Sequence, residues 1–131
     1  MARKTILRLS RLPKTWIIDI DGVIFPHNHY LDPAKAGTEK PLPGIKQLLD
    51  KVGEEDRVVI MTARKKRYAS YTKRMLKKFG IRYDVLLTGM PHGERILIND
   101  IKTDGLRTAY GINVKRDDGV KGVKVYIGSR K

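Results

Sequence analysis

Asp19 and Asp21 close the apolar run Trp16-Ile17-Ile18, with Ile20 between them and Gly22 directly after. Two like charges that close repel unless a cation or a shared proton relieves them, so the pair reads as a metal-dependent or acid–base site. A carboxylate can attack phosphorus and carry it as an aspartyl-phosphate. A second carboxylic acid can protonate the leaving oxygen, then take a proton from the attacking water. Two further apolar runs end in comparable groups. Arg57-Val58-Val59-Ile60-Met61 leads into Thr62, Ala63 and Arg64, and Arg95-Ile96-Leu97-Ile98 leads into Asn99 and Asp100, with Asp104 four residues on. A threonine hydroxyl can hydrogen-bond a phosphoryl oxygen as charge shifts during transfer. Mg²⁺ needs only one or two carboxylates besides phosphate oxygens and water.

The same residues have plainer structural readings. Asp21-Gly22 is a strong turn pair, Thr62 is a natural cap for a following helix, and Asp104 before Gly105 can start a helix. His27 and His29 flank Asn28 and look like ligands. The chain has no cysteine and no third partner at ligand spacing, so zinc has little support and the two histidines read as loop residues.

Positioning these groups takes strands whose carboxyl ends meet at one edge, where open α/β folds bind ligands. Short continuous apolar runs suit parallel strands covered on both faces. Strands are predicted at about 15–20, 57–62, 83–87, 95–99 and 108–114, with an alternating edge strand within about 121–128. A helix is predicted from Pro43 through about Val52, with Ile45, Leu48, Leu49 and Val52 forming one stripe. A second, basic helix is expected over about 65–79, stopped by Gly80. Residues 1–14 read as a basic arm or a short extra strand. The proline-rich stretch Phe25–Pro43 reads as an ordered loop or small flap. Right-handed crossovers make the whole a Rossmann-like parallel sheet flanked by helices, a single domain over 1–131 with its core at about 15–114.

From about Thr15 to Val114 the chain resembles the haloacid dehalogenase (HAD) superfamily of aspartate-nucleophile phosphotransferases, in its small form without a separate cap. Asp19-Ile20-Asp21-Gly22-Val23 matches the first motif, Thr62 the second, and Asp100 with Asp104 the acidic pair of the fourth. The resemblance implies Asp19 as nucleophile, Asp21 as general acid/base, Thr62 as a phosphoryl contact, and Asp19, Asp21, Asp100 and Asp104 around Mg²⁺. Gly22, Ala63, Arg64, Arg67, His92, Arg95 and Lys102 stand on the substrate side. The third motif is a lysine, often within Gly-Lys-Pro, and here the segment reads Gly89-Met90-Pro91. His92, Arg95 and Lys102, in that order, are the candidates for its positive charge. The implied activity is Mg²⁺-dependent hydrolysis of a phosphosugar or nucleotide-type monoester, or of a phosphorylated nucleic-acid end. A receiver domain also uses aspartyl phosphate, but its acidic pair normally precedes the acceptor strand.

Without room for a cap, the site is open, taking bulky substrates or borrowing a lid from a neighbouring subunit in a homo-oligomer. Charge adds a second reading. The net charge is +14, from 28 Lys and Arg against 14 Asp and Glu. Arg64, Lys65, Lys66, Arg67, Lys73, Arg74, Lys77 and Lys78 share the basic helix region with no acid among them. A positive field there draws phosphorylated substrates and can track a nucleic-acid backbone. Tyr68 and Tyr71 can stack bases, although with Met75 and Phe79 they also sit at core-face spacing. The alternative function is therefore a catalytically weak or inactive protein on the same fold, binding nucleic acid through this helix. A lysine-rich surface also accompanies heat adaptation. No apolar stretch approaches a membrane span, and no secretory signal is visible, so a cytoplasmic location is expected.

Overall fold

The computed structural model describes residues 4–27 and 39–128. Within them the elements run β1 (Thr5–Leu9), β2 (Thr15–Asp19), α1 (Ile45–Leu49), β3 (Arg57–Met61), a 3₁₀ turn (Lys66–Tyr68), α2 (Ala69–Lys78), β4 (Val85–Leu87) and β5 (Val123–Ile127). The result is a small α/β domain with two parallel sheets, β2-β3-β4 and β1-β5. In the first sheet Asp19 lies opposite Met61, and Met61 opposite Leu87, so the three carboxyl ends are level. That alignment is what brings the ends of separate chain segments to one edge.

Ile18, Val58 and Ile60 of the sheet pack with Ile20, Ile24, Phe25, Ile45, Leu76, Ile81 and Val120 in one buried cluster. The α2 helix turns Thr72 and Leu76 inward and leaves Lys73, Arg74, Lys77 and Lys78 in solvent, the 3.6-residue period expected of a surface helix. Gly80 follows at φ 66, the left-handed stop expected from the sequence.

The first helix begins at Ile45 rather than at Pro43, and ends at Leu49 rather than Val52. Its entry is a crossing of two chain segments. Val120 donates its N–H to the Pro43 carbonyl at 2.8 Å. A Cβ on Gly119 would lie 2.2 Å from that carbonyl oxygen, and one on Gly44 would lie 2.3 Å from the Lys121 nitrogen. Both glycines also have positive φ, so the approach depends on them.

Of the two readings of the amino-terminal segment, the short extra strand holds and the loose arm does not, because β1 pairs in parallel with β5 along its whole length. The terminal strand therefore belongs to this second sheet and is not an edge of the first. Residues 95–99 and 108–114 form no strand, and Ile96, Leu97 and Ile98 are exposed, the last at 90%. An apolar run becomes a strand only when a neighbour completes its ladder. Here the polar ends of the run satisfy one another: Asn99 donates to the Thr108 hydroxyl at 2.9 Å, and that hydroxyl donates to the Asp100 carbonyl. The segment closes on itself as an exposed loop, and the outer side of β2 has no strand beside it among the described residues. Of the Phe25–Pro43 stretch, residues 28–38, with Asn28 and His29, lie outside the described residues.

The opposite, amino-terminal edge is tied by a carboxylate. Asp56 accepts from the Lys14 N–H, the Gly53 N–H and the Trp16 indole N–H, each at 2.9 Å. Burial pushes its carboxyl up, but the hydrogen bonds outweigh this and hold it below the usual carboxylate range. A depressed folded-state pKa stabilises the fold above the ordinary aspartate value and loses that effect as pH falls through the folded value. Asp56→Ala should cost about 3 kcal/mol in urea denaturation at pH 7, by stranding three donors. The deficit should begin to shrink below about pH 4, where the unfolded chain takes up the proton, and close once pH has fallen through the lower folded-state value.

Candidate functional site

After Asp19 the chain leaves its strand in a tight turn. The Ile20 carbonyl accepts from the N–H groups of Val23, Ile24 and Phe25, at 3.1, 2.8 and 3.1 Å. Gly22 turns at φ 87, donates to the Phe25 carbonyl, and accepts from the Asp117 N–H at 2.9 Å. The Asp117 carboxylate in turn accepts from the His27 N–H at 2.6 Å, fixing the exit of the turn. A straight strand would aim Asp19 and Asp21 the same way. The turn separates them, and they have different partners.

Asp21 faces the buried side chain of Arg64. The guanidinium donates to both Asp21 oxygens, Nη2 at 2.8 Å and Nε at 3.1 and 3.2 Å, a fork-to-fork geometry that lysine cannot reproduce. Nη2 also donates to Glu39, and Nη1 to the Thr72 hydroxyl of α2 at 3.2 Å. The Arg64 N–H donates to the Thr62 hydroxyl at 3.0 Å, which holds the chain as it leaves β3. Burial disfavours the guanidinium charge, but Asp21 and Glu39 more than offset this and raise its pKa. Glu39 also accepts from the Tyr71 hydroxyl at 3.1 Å. The Tyr71 phenol is pushed up to about 12, first by burial and then by the charge and hydrogen bond of Glu39.

Asp19 is more open. Its side chain is 37% exposed against 14% for Asp21, and the Arg95 guanidinium stands 3.4 Å from Oδ1. Met90, at the position of the implied lysine, donates its N–H to the Thr62 carbonyl at 3.0 Å, so that position does lie at the carboxyl edge. Of the three stand-ins, Arg95 is the one placed against Asp19. His92 and Lys102 are exposed on the loop. Arg67 is also exposed, its guanidinium 5.0 Å from the Tyr68 ring centre. Ala63 is half-buried between Thr62 and Arg64, and Thr62 is fully buried.

Asp100 and Asp104 do not join the other two carboxylates. Asp104 accepts from the Leu106 N–H at 2.9 Å within the exposed loop. Among the described residues no three Asp, Glu, His or Cys side chains gather to hold a metal ion. Both Asp21 oxygens are already taken by Arg64. The residues as arranged do not form a Mg²⁺ site. Nor does the concavity beside α1 serve Asp19: it holds about 580 Å³ and is lined by Glu39, Pro41, Leu42, Lys46, Lys78 and Phe79. Its mouth is broad and it contains none of the carboxyl-edge groups except Glu39, so the edge geometry carries the chemical argument.

Sequence reading missed Glu39, Thr72 and Asp117. A buried arginine between two strand ends calls for more than one acceptor, but nothing near Glu39 in sequence marks it as the second. Comparison with known proteins found no matching family model, no matching curated protein and no matching solved structure.

Arg64→Met should destabilise the fold by about 3–5 kcal/mol, because it leaves two carboxylates buried without their cation. Chemical denaturation of the variant beside wild type measures this. In an ultraviolet pH titration, one tyrosine should ionise near 12, and that component should vanish in Tyr71→Phe. Because this folded pKa is raised, its stabilising effect is present below about pH 10 and is lost as pH climbs toward 12.

Proposed function

We propose that the chain is a single-domain, Rossmann-like phosphomonoester hydrolase of HAD type, with Asp19 as the attacking carboxylate. The observation that carries the reading is the Asp19–Arg95 pair. It is a half-exposed carboxylate at the carboxyl end of a parallel strand, with a guanidinium 3.4 Å away. The substrate class is a phosphosugar or nucleotide-type monoester, small enough in its phosphate to reach an open edge and unrestricted in the rest.

In this reading an Asp19 oxygen bonds to phosphorus and the bond to the leaving oxygen breaks. The leaving oxygen takes a proton from water at the open edge, because both oxygens of Asp21, the acid expected from the sequence, already accept from Arg64. Water then attacks the aspartyl phosphate, releases a proton to solvent, and frees phosphate and the Asp19 carboxylate. Arg95 stands in for the lysine that Met90 replaces, binding phosphoryl oxygens and lowering the repulsion between phosphate and nucleophile. Arg64 is a positioning residue. Its guanidinium is fully used by Asp21, Glu39 and Thr72 and is not offered to substrate.

Phosphate release from a mixed panel of sugar phosphates, nucleotides and end-phosphorylated oligonucleotides tests the reading. Asp19→Asn should abolish release while leaving the circular dichroism spectrum intact, and retained turnover would sink the assignment. Arg95→Ala should lower kcat by about 10²–10³-fold. Assays run in parallel with Mg²⁺ and with a chelator test the metal. Release confined to the Mg²⁺ assay would require Asp100 or Asp104 to reach the Asp19 edge in the working protein.

A further inference from the structure

The α2 helix carries more positive charge than its fold needs. Lys73 and Lys77 lie four residues apart on one row, Arg74 and Lys78 on the next, and all four are exposed. Lys65, Lys66 and Arg67 extend the row through the 3₁₀ turn toward the carboxyl edge, also exposed. None of the seven pairs with a carboxylate among the described residues. Like charges at i, i+4 destabilise a helix by about 0.2–0.5 kcal/mol per pair, and nothing in the fold relieves these two.

That absence of acids separates two explanations of a lysine-rich surface. Heat-adapted surfaces interleave acids and bases into ion-pair networks. Here the acids are missing from the whole segment 64–80, so the surplus is turned toward something outside the molecule. Its partner must be anionic over a distance, since α2 alone is about 15 Å long. A membrane surface fits poorly. Interfacial helices bury an apolar face in the headgroups, and the apolar face of α2 is already spent on the core through Leu76, with Met75 and Phe79 packed against it. The other exposed position of α2 is Ser70, one turn before Arg74 on the same row.

We propose that this ridge, from Lys65 to Lys78, binds the sugar-phosphate backbone of a nucleic acid. Phosphate contacts from lysine and arginine give affinity without sequence preference. Tyr68 adds a half-buried aromatic ring at the ridge, covered at 5.0 Å by the Arg67 guanidinium, which a stacking base would displace. Tyr71 does not serve this way, because its hydroxyl is bonded to Glu39. Binding along the ridge needs neither Asp19 nor turnover.

Fluorescence anisotropy with labelled single-stranded DNA, single-stranded RNA and duplex DNA tests this over a salt series. Wild type should bind at low salt and weaken steeply as salt rises. Replacing Lys73, Arg74, Lys77 and Lys78 together by Gln should weaken binding about tenfold or more. It should also cut the log–log salt slope for single strands by about 3. The comparison is a chain with the exposed Lys4, Lys51, Lys115 and Lys124 changed to Gln, which removes equal charge from other elements. Circular dichroism verifies that both variants fold. Asp19→Asn should bind as wild type, which separates this proposal from the hydrolase reading. No binding by wild type, equal losses in the two variants, or loss in Asp19→Asn would each overturn the ridge. So would tighter binding to phosphatidylserine vesicles than to any nucleic acid, lost in the same ridge variant.

Discussion

The buried guanidinium of Arg64 joins three other parts of the chain. Through Asp21 it holds the turn after β2, through Thr72 the inner face of α2, and through Glu39 the far end of the proline-rich stretch, while the Arg64 backbone N–H bonds the Thr62 hydroxyl at the exit of β3. A charge this deep is tolerated only when paired and fully hydrogen-bonded. The requirement works in reverse as well: removing any one partner leaves the others buried without compensation. One side chain therefore couples the geometry of the carboxyl edge to the packing of the helix. The Phe25 ring, 6.0 Å from the guanidinium carbon, closes the apolar side of the same enclosure.

The two ends of the parallel sheet are fastened differently, and the difference assigns their roles. At the amino end Asp56 gathers backbone and indole N–H groups, and Asp84 accepts from the Val58 N–H at 2.7 Å. Asp56 is buried and saturated by these donors, whereas Asp84 stays exposed with the Arg82 guanidinium 3.8 Å away. At the carboxyl end Asp21 is equally saturated, but Asp19 keeps an open face. At the carboxyl end of the sheet, Asp19 is the carboxylate that combines exposure with a neighbouring cation.

Much of this was legible in the sequence because it depends on local pattern. The runs at Trp16–Ile18 and Val58–Ile60 specify β2 and β3 nearly to the residue. The period that puts Thr72 and Leu76 opposite Lys73 and Lys77 specifies the end of α2, though its expected start at 65 gives way to a 3₁₀ turn and the helix begins at Ala69. Gly80 and Gly22 mark real changes of backbone direction. What was not legible is pairing at a distance. The run Ile96-Leu97-Ile98 has strand composition, but its outcome depends on whether its polar ends find the sheet or Thr108, and they find Thr108. The parallel pairing of β1 with β5 spans nearly the whole chain, and neither strand's sequence names the other. Glu39 is invisible for the same reason, since its meaning lies in Arg64.

Asp19 and Asp21 illustrate how a fold divides labour between two identical side chains. On an uninterrupted strand they would share a face, a field and a partner. Three N–H groups converging on the Ile20 carbonyl bend the chain between them instead. Asp21 is then enclosed with a fixed fork-shaped cation whose bonds are already made, so its orientation is set before any ligand arrives. Asp19 meets a guanidinium that is itself exposed and held by a single 3.4 Å contact. An arriving phosphate offers that guanidinium a better, multiply charged acceptor than one half-solvated carboxylate. The arginine can move onto the phosphate without leaving Asp19's neighbourhood, and Asp19 is uncovered by the same event. The preorganised partner and the exchangeable one thus differ in burial and in the number of bonds already made. Under the proposed hydrolase reading that difference leaves Asp19 as the carboxylate free to attack.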